Sequence, residues 1–148
     1  MASLSSPLEG IRVLDLGRHQ AGPRCGQVLA RLGAEVIKIE RPGTGERGRS
    51  NGPFVQGPDE QQVSARFLGI NRNKKSITLD LRDPRCKDAL LKMVRVSDVL
   101  LDNWGPGALR RLGLGYDVLQ EANPQLVYAS ITGYGDSEHL QGPYSHWP

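Results

Sequence analysis

One stretch, Ile11 to Gly43, restricts what this chain can fold into more than any other. It reads as strand, short loop, helix, glycine turn and strand. Arg12 to Leu16 is short, apolar and branched enough for a buried strand. Gly22 and Pro23 open a helix, with proline at the first position, where a missing N–H costs nothing. Cys25, Val28, Leu29 and Leu32 recur at helical spacing and predict the stripe that this helix buries. Gly33 follows where a left-handed C-terminal cap is wanted. Val36, Ile37 and Ile39 make the second strand, which Pro42-Gly43 stops. Two strands joined by a helix of this length are expected to run parallel, with a right-handed crossover. A ligand of such a unit lies beyond the carboxyl ends of the strands, near the helix N-terminus. Those ends carry Gly17-Arg18-His19-Gln20-Ala21 and Glu40-Arg41, so the polar chemistry gathers where the architecture puts ligands.

The alternation resumes downstream. Ser76 to Leu81 predicts a third strand. Asp83-Pro84 starts a helix, aspartate as N-cap and proline next. Ala89, Leu90, Met93 and Val94 supply the buried face of that helix, which is expected to run to about Val96. Val99 to Asp102 is the fourth strand and ends in Asn103-Trp104-Gly105-Pro106-Gly107. A short helical segment near Ala108 to Leu112 comes next. Asp117 and Gln120 have the spacing of a capping box, and the helix they begin stops before Asn123-Pro124. Leu126 to Thr132 is the fifth strand. No repeat or linker interrupts the pattern, so residues 1–148 read as a single unit: an α/β fold, a Rossmann-like parallel sheet with flanking helices.

Charge is small overall, with a formal net of +3, but its distribution is uneven. Between Arg41 and Lys75 stand seven cations, Arg41, Arg47, Arg49, Arg66, Arg72, Lys74 and Lys75, against Glu46, Asp59 and Glu60. The basic excess of the whole chain therefore sits in one long Gly-rich connection. Two readings are open: a solvated loop, or an anion-binding surface, since loops this long in a compact domain carry function or are disordered. The chain has few aromatic residues to interleave with its cations, which favours a phosphate-bearing small molecule over nucleic acid. Gly43-Thr44-Gly45-Glu46-Arg47-Gly48 matches G-x-G-x-x-G by letter. That fingerprint needs a helix start behind it, and Arg49-Ser50-Asn51-Gly52-Pro53 cannot supply one. A dinucleotide fingerprint is rejected. Cys25 and Cys86 are far apart and lie in helical stripes, so they read as buried free thiols in a reducing compartment. His19, His139 and His146 show no metal-ligand spacing with them, and no metal site is assigned. No apolar run reaches the length of a membrane span, and MASLSSPLEG lacks the features of a signal or transit peptide. The expected compartment is the cytoplasm.

Taken together, several pieces resemble the N-terminal part of the family III CoA-transferases. They are PLEGIRVLDL, Gln20-Ala21-Gly22-Pro23, LGAEVIKIERPG, NRNKKSITLDLRDP, Asn103 to Gly107, LGLGYDVLQEANPQLVYASITGYG and Gly142-Pro143-Tyr144. They cover nearly the whole chain in the family's order. The resemblance implies the N-terminal portion of the family's large domain, which binds CoA at the carboxyl ends of its strands. It implies acyl-CoA and a carboxylic acid as substrates, no prosthetic group, no nucleic-acid or membrane partner, and an interlocked homodimer.

Carried over position by position, the family's CoA contacts fall on Gln20, Ala21, Arg41, Leu79, Arg82, Asn103, Trp104, Gly105 and Arg111. Arginine can pair with the phosphates that CoA brings. Other jobs stay open for several of these: capping the following helix for Gln20, holding its Gly-Pro-Gly turn for Asn103, and structural anchoring for Trp104, which stands where the family usually has phenylalanine. The family reaction runs through an aspartyl-CoA thioester. Its aspartate follows the Gly-Pro-Tyr element by several residues, which places it past Pro148. Asp136 matches no catalytic position, and no catalytic residue is assigned within the chain. This predicts a CoA-binding part that is inactive by itself. The alternatives are an acyl-CoA racemase of the same superfamily and a non-catalytic CoA- or nucleotide-binding module.

Overall fold

The computed structural model describes residues 6–135. Asp136, His139, His146 and Gly142-Pro143-Tyr144, all singled out above, lie outside the described residues. In chain order the elements are β1 (Arg12–Asp15), α1 (Ala21–Arg31), β2 (Glu35–Glu40), β3 (Phe54–Gln56), β4 (Gln62–Ser64), α2 (Ala65–Ile70) and β5 (Lys74–Thr78). They continue with α3 (Pro84–Val94), β6 (Val99–Asp102), α4 (Ala108–Arg111), α5 (Tyr116–Ala122) and β7 (Val127–Ser130). Five strands form one sheet in the order β5-β2-β1-β6-β7, and each pairing is parallel. Strand β1 lies between β2 and β6, so the chain winds outward from it in both directions. That reversal opens a crevice at the strand carboxyl ends, where ligands of open α/β sheets bind.

Alternation along the strands divides the core between two faces. Leu14, Leu16, Ile39 and Leu100 point to one side and pack with Leu90 and Val94 of α3, Leu109 of α4 and Leu119 of α5. Val13, Val36 and Leu101 point to the other and pack with Ala30 of α1. Both faces are covered, as a parallel sheet requires. Toward the carboxyl ends, the α1 side of β1 and β2 changes from valine to Asp15, Lys38 and Glu40, all buried.

That change corrects the expected face of α1. Its buried residues are Gly22, Pro23, Gly26, Gln27 and Ala30, whereas Val28 and Leu32 are 49% and 41% exposed. Cys25 and Leu29 are only partly buried at the edge of the second cluster. Helical spacing alone marks the largest apolar residues, but this helix lies over charged side chains and needs small ones. A Cβ at Gly26 would come within 2.9 Å of Asp15 Oδ2.

The long basic connection also differs from its expected form. Between β2 and β5 the chain makes an antiparallel hairpin, β3 with β4, and then the short helix α2. Strands of three residues, one of them Gln-Val-Ser, are too short and polar to show a period. Ser64 caps α2 by accepting the Phe67 N–H at 3.1 Å. Strand β5 starts two residues earlier than Ser76, at Lys74, because Lys74 pairs in register with Val36. Helix α5 begins after Gly115 with no side-chain cap, so the capping box of Asp117 and Gln120 does not form. The Asp83 cap does form, its carboxylate accepting the Arg85 N–H at 2.9 Å, and Gly33 takes a left-handed φ of 103°. Cys25 and Cys86 are free and half-buried. Among the described residues, no helix is long and apolar enough to cross a membrane.

Candidate functional site

Beyond the carboxyl ends of β1, β2, β5 and β6 lies a cavity of about 320 Å³. Its apolar floor is made by Leu16, Ile39, Leu79, Leu81 and Leu112, and Trp104 forms one wall. Its rim carries Arg18 after β1, Arg41 and Arg47 after β2, and Arg82 after β5. Among the described residues, none of these four arginines forms an ion pair with a carboxylate. Neighbouring Arg49, by contrast, grips Glu40 with both ends of its guanidinium, at 2.6 and 2.7 Å. Cations left unpaired around one hollow, with an apolar floor beneath, suit a ligand that combines anionic groups with an apolar part.

The positions of these groups are fixed from behind. The side chain of Asn103 accepts the Arg18 N–H at 2.7 Å and donates to the Arg18 carbonyl at 3.0 Å. Trp104 Nε1 donates to the Leu16 carbonyl at 2.6 Å, and Asp102 accepts the Trp104 N–H at 2.9 Å. The Arg18 guanidinium then lies 3.7 Å from the centre of the Trp104 ring. Burial lowers the Arg18 pKa, the charges of Arg47 and Arg41 lower it further, and Glu46 and Asp102 oppose them. Three guanidiniums thus crowd one region of the cavity.

Underneath is a second charged group with a different job. Asp15, Lys38 and Lys74 are almost fully buried. Lys74 Nζ binds Asp15 Oδ2 at 2.7 Å and also donates to the Pro23 carbonyl and Asn71 Oδ1. Lys38 Nζ donates to the Gly17 carbonyl at 2.6 Å, and the Gly17 N–H returns to Asp15 Oδ1 at 2.7 Å. The loop that carries Arg18 is therefore clamped at Gly17 by a buried lysine and a buried aspartate. Glu40, at the end of β2, has its oxygens taken by Arg49, by Ser76 at 2.7 Å and by the Glu46 N–H at 2.9 Å.

The residues expected at the site separate into two sets. Arg41, Leu79, Arg82 and Trp104 line the cavity together. Gln20, Ala21, Asn103, Gly105 and Arg111 do not line it. Gln20 precedes α1 with no side-chain cap, its carbonyl accepting the Arg24 N–H at 2.7 Å, and exposed Ala21 opens the helix. Asn103 supports Arg18 rather than its own turn. Gly105 takes a left-handed φ of 90°, and Arg111 donates to the Pro106 carbonyl at 3.2 Å. The sequence reading did not assign Arg18, Thr44, Glu46 or Arg47. Arg18 stood in the stretch marked as the ligand edge, and the other three belong to the rejected glycine motif. That motif precedes a 3-10 turn at Arg47–Ser50 rather than an α-helix, yet Thr44, Gly45, Glu46 and Arg47 do line the cavity.

Comparisons with known proteins bear on the family and the fold. The chain is 46% identical over 140 residues to a succinyl-CoA:glutarate CoA-transferase of Mus musculus, an alignment covering 95% of this chain and 30% of that protein. It is 44% identical over 141 residues to a formyl-CoA:oxalate CoA-transferase of Rhodopseudomonas palustris, covering 95% of this chain and 31% of the relative. The chain thus spans about a third of the length of the curated relatives it matches. Among solved structures, a CAIB/BAIF family protein from Brucella suis superposes with a TM-score of 0.84 at 41% identity, covering 95% of this chain and 36% of its own. The sequence model of CoA-transferase family III matches residues 8–148. A parallel α/β sheet and a family match over nearly the whole length lead to one conclusion: the chain belongs to CoA-transferase family III.

Proposed function

We propose that this chain is the CoA-binding part of a CoA-transferase that moves CoA between an acyl-CoA and a carboxylic acid. The observation that carries the reading is the cavity itself. Among the described residues, Arg41, Arg47 and Arg82 ring it without an ion-pair partner, and Arg18 stands over Trp104 beside them. CoA brings a pyrophosphate and a ribose phosphate to meet these cations, and each charge-assisted bond is worth about 1.5–3 kcal/mol.

In this reading Arg41 and Arg82, from the ends of β2 and β5, hold the pyrophosphate. Trp104 and the leucine floor cover the apolar parts, and Asn103 acts through Arg18. The transfer step runs through an aspartyl-CoA thioester whose aspartate is not assigned to this chain, so the reading gives the chain binding and no catalytic residue. The complete enzyme is an interlocked homodimer in the cytoplasm.

Calorimetric titration of the 148-residue chain with CoA tests the reading. Saturable binding is expected, with a loss of about tenfold or more in Arg41→Ala, or roughly 1.4 kcal/mol. No heat from a sample that unfolds cooperatively, or an unchanged affinity in Arg41→Ala, overturns it. An assay of CoA transfer between two acids should show no turnover with this chain alone.

A further inference from the structure

The 3-10 turn at Arg47–Ser50 ends on a serine that does not line the cavity. A 3-10 helix has three residues per turn, so its side chains point in three directions and those at i and i+3 eclipse. Each direction has its own job in this turn. Gly48 is buried, and a Cβ there would come within 2.6 Å of Glu46 Oε2. Arg49 turns to Glu40 at 2.6 and 2.7 Å, with its guanidinium 3.9 Å from the centre of the Phe67 ring. Arg47 and Ser50, both exposed, share the third direction. The Ser50 hydroxyl is thereby set beside Arg47, which has no ion pair among the described residues.

The same spacing is a recognition signal. Arginines three residues and one residue before a serine form a charge pattern that a serine kinase with an acidic substrate groove selects. The turn is also easy to open. Two main-chain bonds close it, from the Arg49 N–H to the Glu46 carbonyl at 2.9 Å and from the Asn51 N–H to the Gly48 carbonyl at 3.2 Å. Asn51 beyond it is already extended, with φ −100° and ψ 123°. Local opening costs least in exposed segments held by few bonds.

We propose that Ser50 is a phosphorylation site whose modification weakens ligand binding by drawing Arg47 away from the cavity. The phosphoryl donor is a nucleoside triphosphate. Ser50 Oγ bonds to the γ-phosphorus as the bond from that phosphorus to its bridging oxygen breaks. The nucleoside diphosphate leaves, and the hydroxyl proton passes to a carboxylate of the kinase. The product carries close to two negative charges and three acceptor oxygens at neutral pH. Arg47 then has an anionic partner within its own turn, and Arg18, Arg41 and Arg82 are left at the rim. The dianion also repels an anionic ligand approaching that rim. In the unmodified chain the charges of Arg18 and Arg47 oppose each other, and a phosphate beside Arg47 offsets that repulsion. The loss of CoA affinity rests on the CoA reading; the pairing of phosphoserine with Arg47 does not.

The test treats the folded 148-residue chain with ATP and a serine kinase of this arginine-directed class, followed by mass spectrometry. A phosphoryl group on Ser50 is expected, and Ser50→Ala should lack it. Phosphorus NMR titration should place the phosphoserine pKa below its usual value of about 6. Arg47→Met, with phosphoserine introduced at position 50 by nonsense suppression, should return it to that value. Calorimetry should show CoA binding about tenfold weaker in the phosphorylated chain, the worth of one charge-assisted contact, and unchanged in Ser50→Ala. In Arg47→Met the phosphate should cost only about twofold, the screened repulsion that remains. No transfer to Ser50 of the folded chain, an unshifted phosphoserine pKa, or equal CoA affinity with and without the phosphate overturns the proposal and leaves the CoA reading standing. Binding of CoA by neither form of a cooperatively unfolding chain overturns the CoA reading and with it the effect on affinity. The phosphorus titration then decides the pairing of Ser50 with Arg47.

Discussion

The Lys74 ammonium sits 2.7 Å from the Asp15 carboxylate in a place where both side chains are almost completely shielded from solvent. Lys38, equally buried, lies 3.9 Å from the same oxygen. One carboxylate thus faces two ammonium groups beneath the cavity. Burial depresses the Lys74 pKa, Asp15 raises it, and the Lys38 charge lowers it again. Asp15→Asn would leave both cations buried without an anion. The expected loss is about 3–5 kcal/mol, as for breaking a buried pair from one side. Urea unfolding measures it. A triple variant with Asp15→Asn, Lys38→Met and Lys74→Met should recover much of the loss; no recovery would mean that Asp15 acts mainly through its bond to Gly17.

Gly17 is required by space rather than by its backbone angles. A Cβ there would lie 2.7 Å from Asp15 Oδ1 and 2.8 Å from the Gly22 carbonyl carbon in α1. Gly17→Ala must push α1 away from β1, at a cost of about 1–3 kcal/mol. Because α1 and the Arg18 loop move together, CoA affinity should fall as well. Unfolding midpoint and calorimetry on the same variant check both effects.

Glu40 makes stability depend on pH in the acid range. Burial alone would raise its pKa. The bonds from Arg49, Ser76 and the Glu46 N–H, with the charge of Arg49, outweigh that and bring it down to about 2 from 4.5. The folded state therefore binds the proton more weakly than the unfolded chain. The stabilisation is complete above about pH 4.5 and is lost as pH falls toward 2, on the order of 3 kcal/mol at about 1.4 kcal/mol per unit. Urea midpoints at intervals across this window should show a shallower slope for Glu40→Gln than for wild type. Parallel slopes would show that Glu40 does not control the acid limb.

Trp104→Phe keeps a ring in the cavity wall but removes the donor to the Leu16 carbonyl, a bond of 2.6 Å. Leaving that carbonyl without its partner costs about 1–2 kcal/mol. Phenylalanine also offers a weaker face to the Arg18 guanidinium. Thermal unfolding should register the first effect and a lower CoA affinity the second. Full stability in the variant would show that water replaces the indole.

Apolar side chains also stand in the open on one part of the molecule. Phe54 and Val55 of β3 and Leu68 of α2 are nearly half exposed, and Val55 and Leu68 line a shallow hollow with Ala65 and Phe67. Among the described residues, strands β5 and β7 are the edges of the sheet. Exposed edges and apolar patches promote association. Light scattering over a dilution series should show a mass that rises with concentration, and Leu68→Lys should reduce it. A monodisperse monomer at all concentrations would support the self-sufficient binding module instead.

The backbone plan was legible in the sequence because local signals and burial agree along it. Val13, Leu14, Val36 and Leu100 sit in short branched runs, Asp83-Pro84 and Gly33 mark helix ends, and every main strand appears within a few residues of its place. The family pieces also put Arg41, Leu79, Arg82 and Trp104 at the strand ends. What the sequence left undetermined depends on groups brought together from afar. The buried face of α1 follows glycine and alanine rather than leucine, because Asp15 and Lys74, 59 positions apart, meet beneath it. Arg18 is no more distinctive in sequence than Arg24 or Arg31. It becomes a site residue only because Asn103, 85 positions away, holds its main chain and Trp104 takes its guanidinium. Arg49 and Arg47 are near neighbours in one loop, yet only the fold gives Arg49 to Glu40 and leaves Arg47 at the cavity with no ion pair among the described residues. Hydrophobic period and turn chemistry are local and survive in a string of letters. Charge pairing is a property of distance in three dimensions, and the tertiary structure alone decides it.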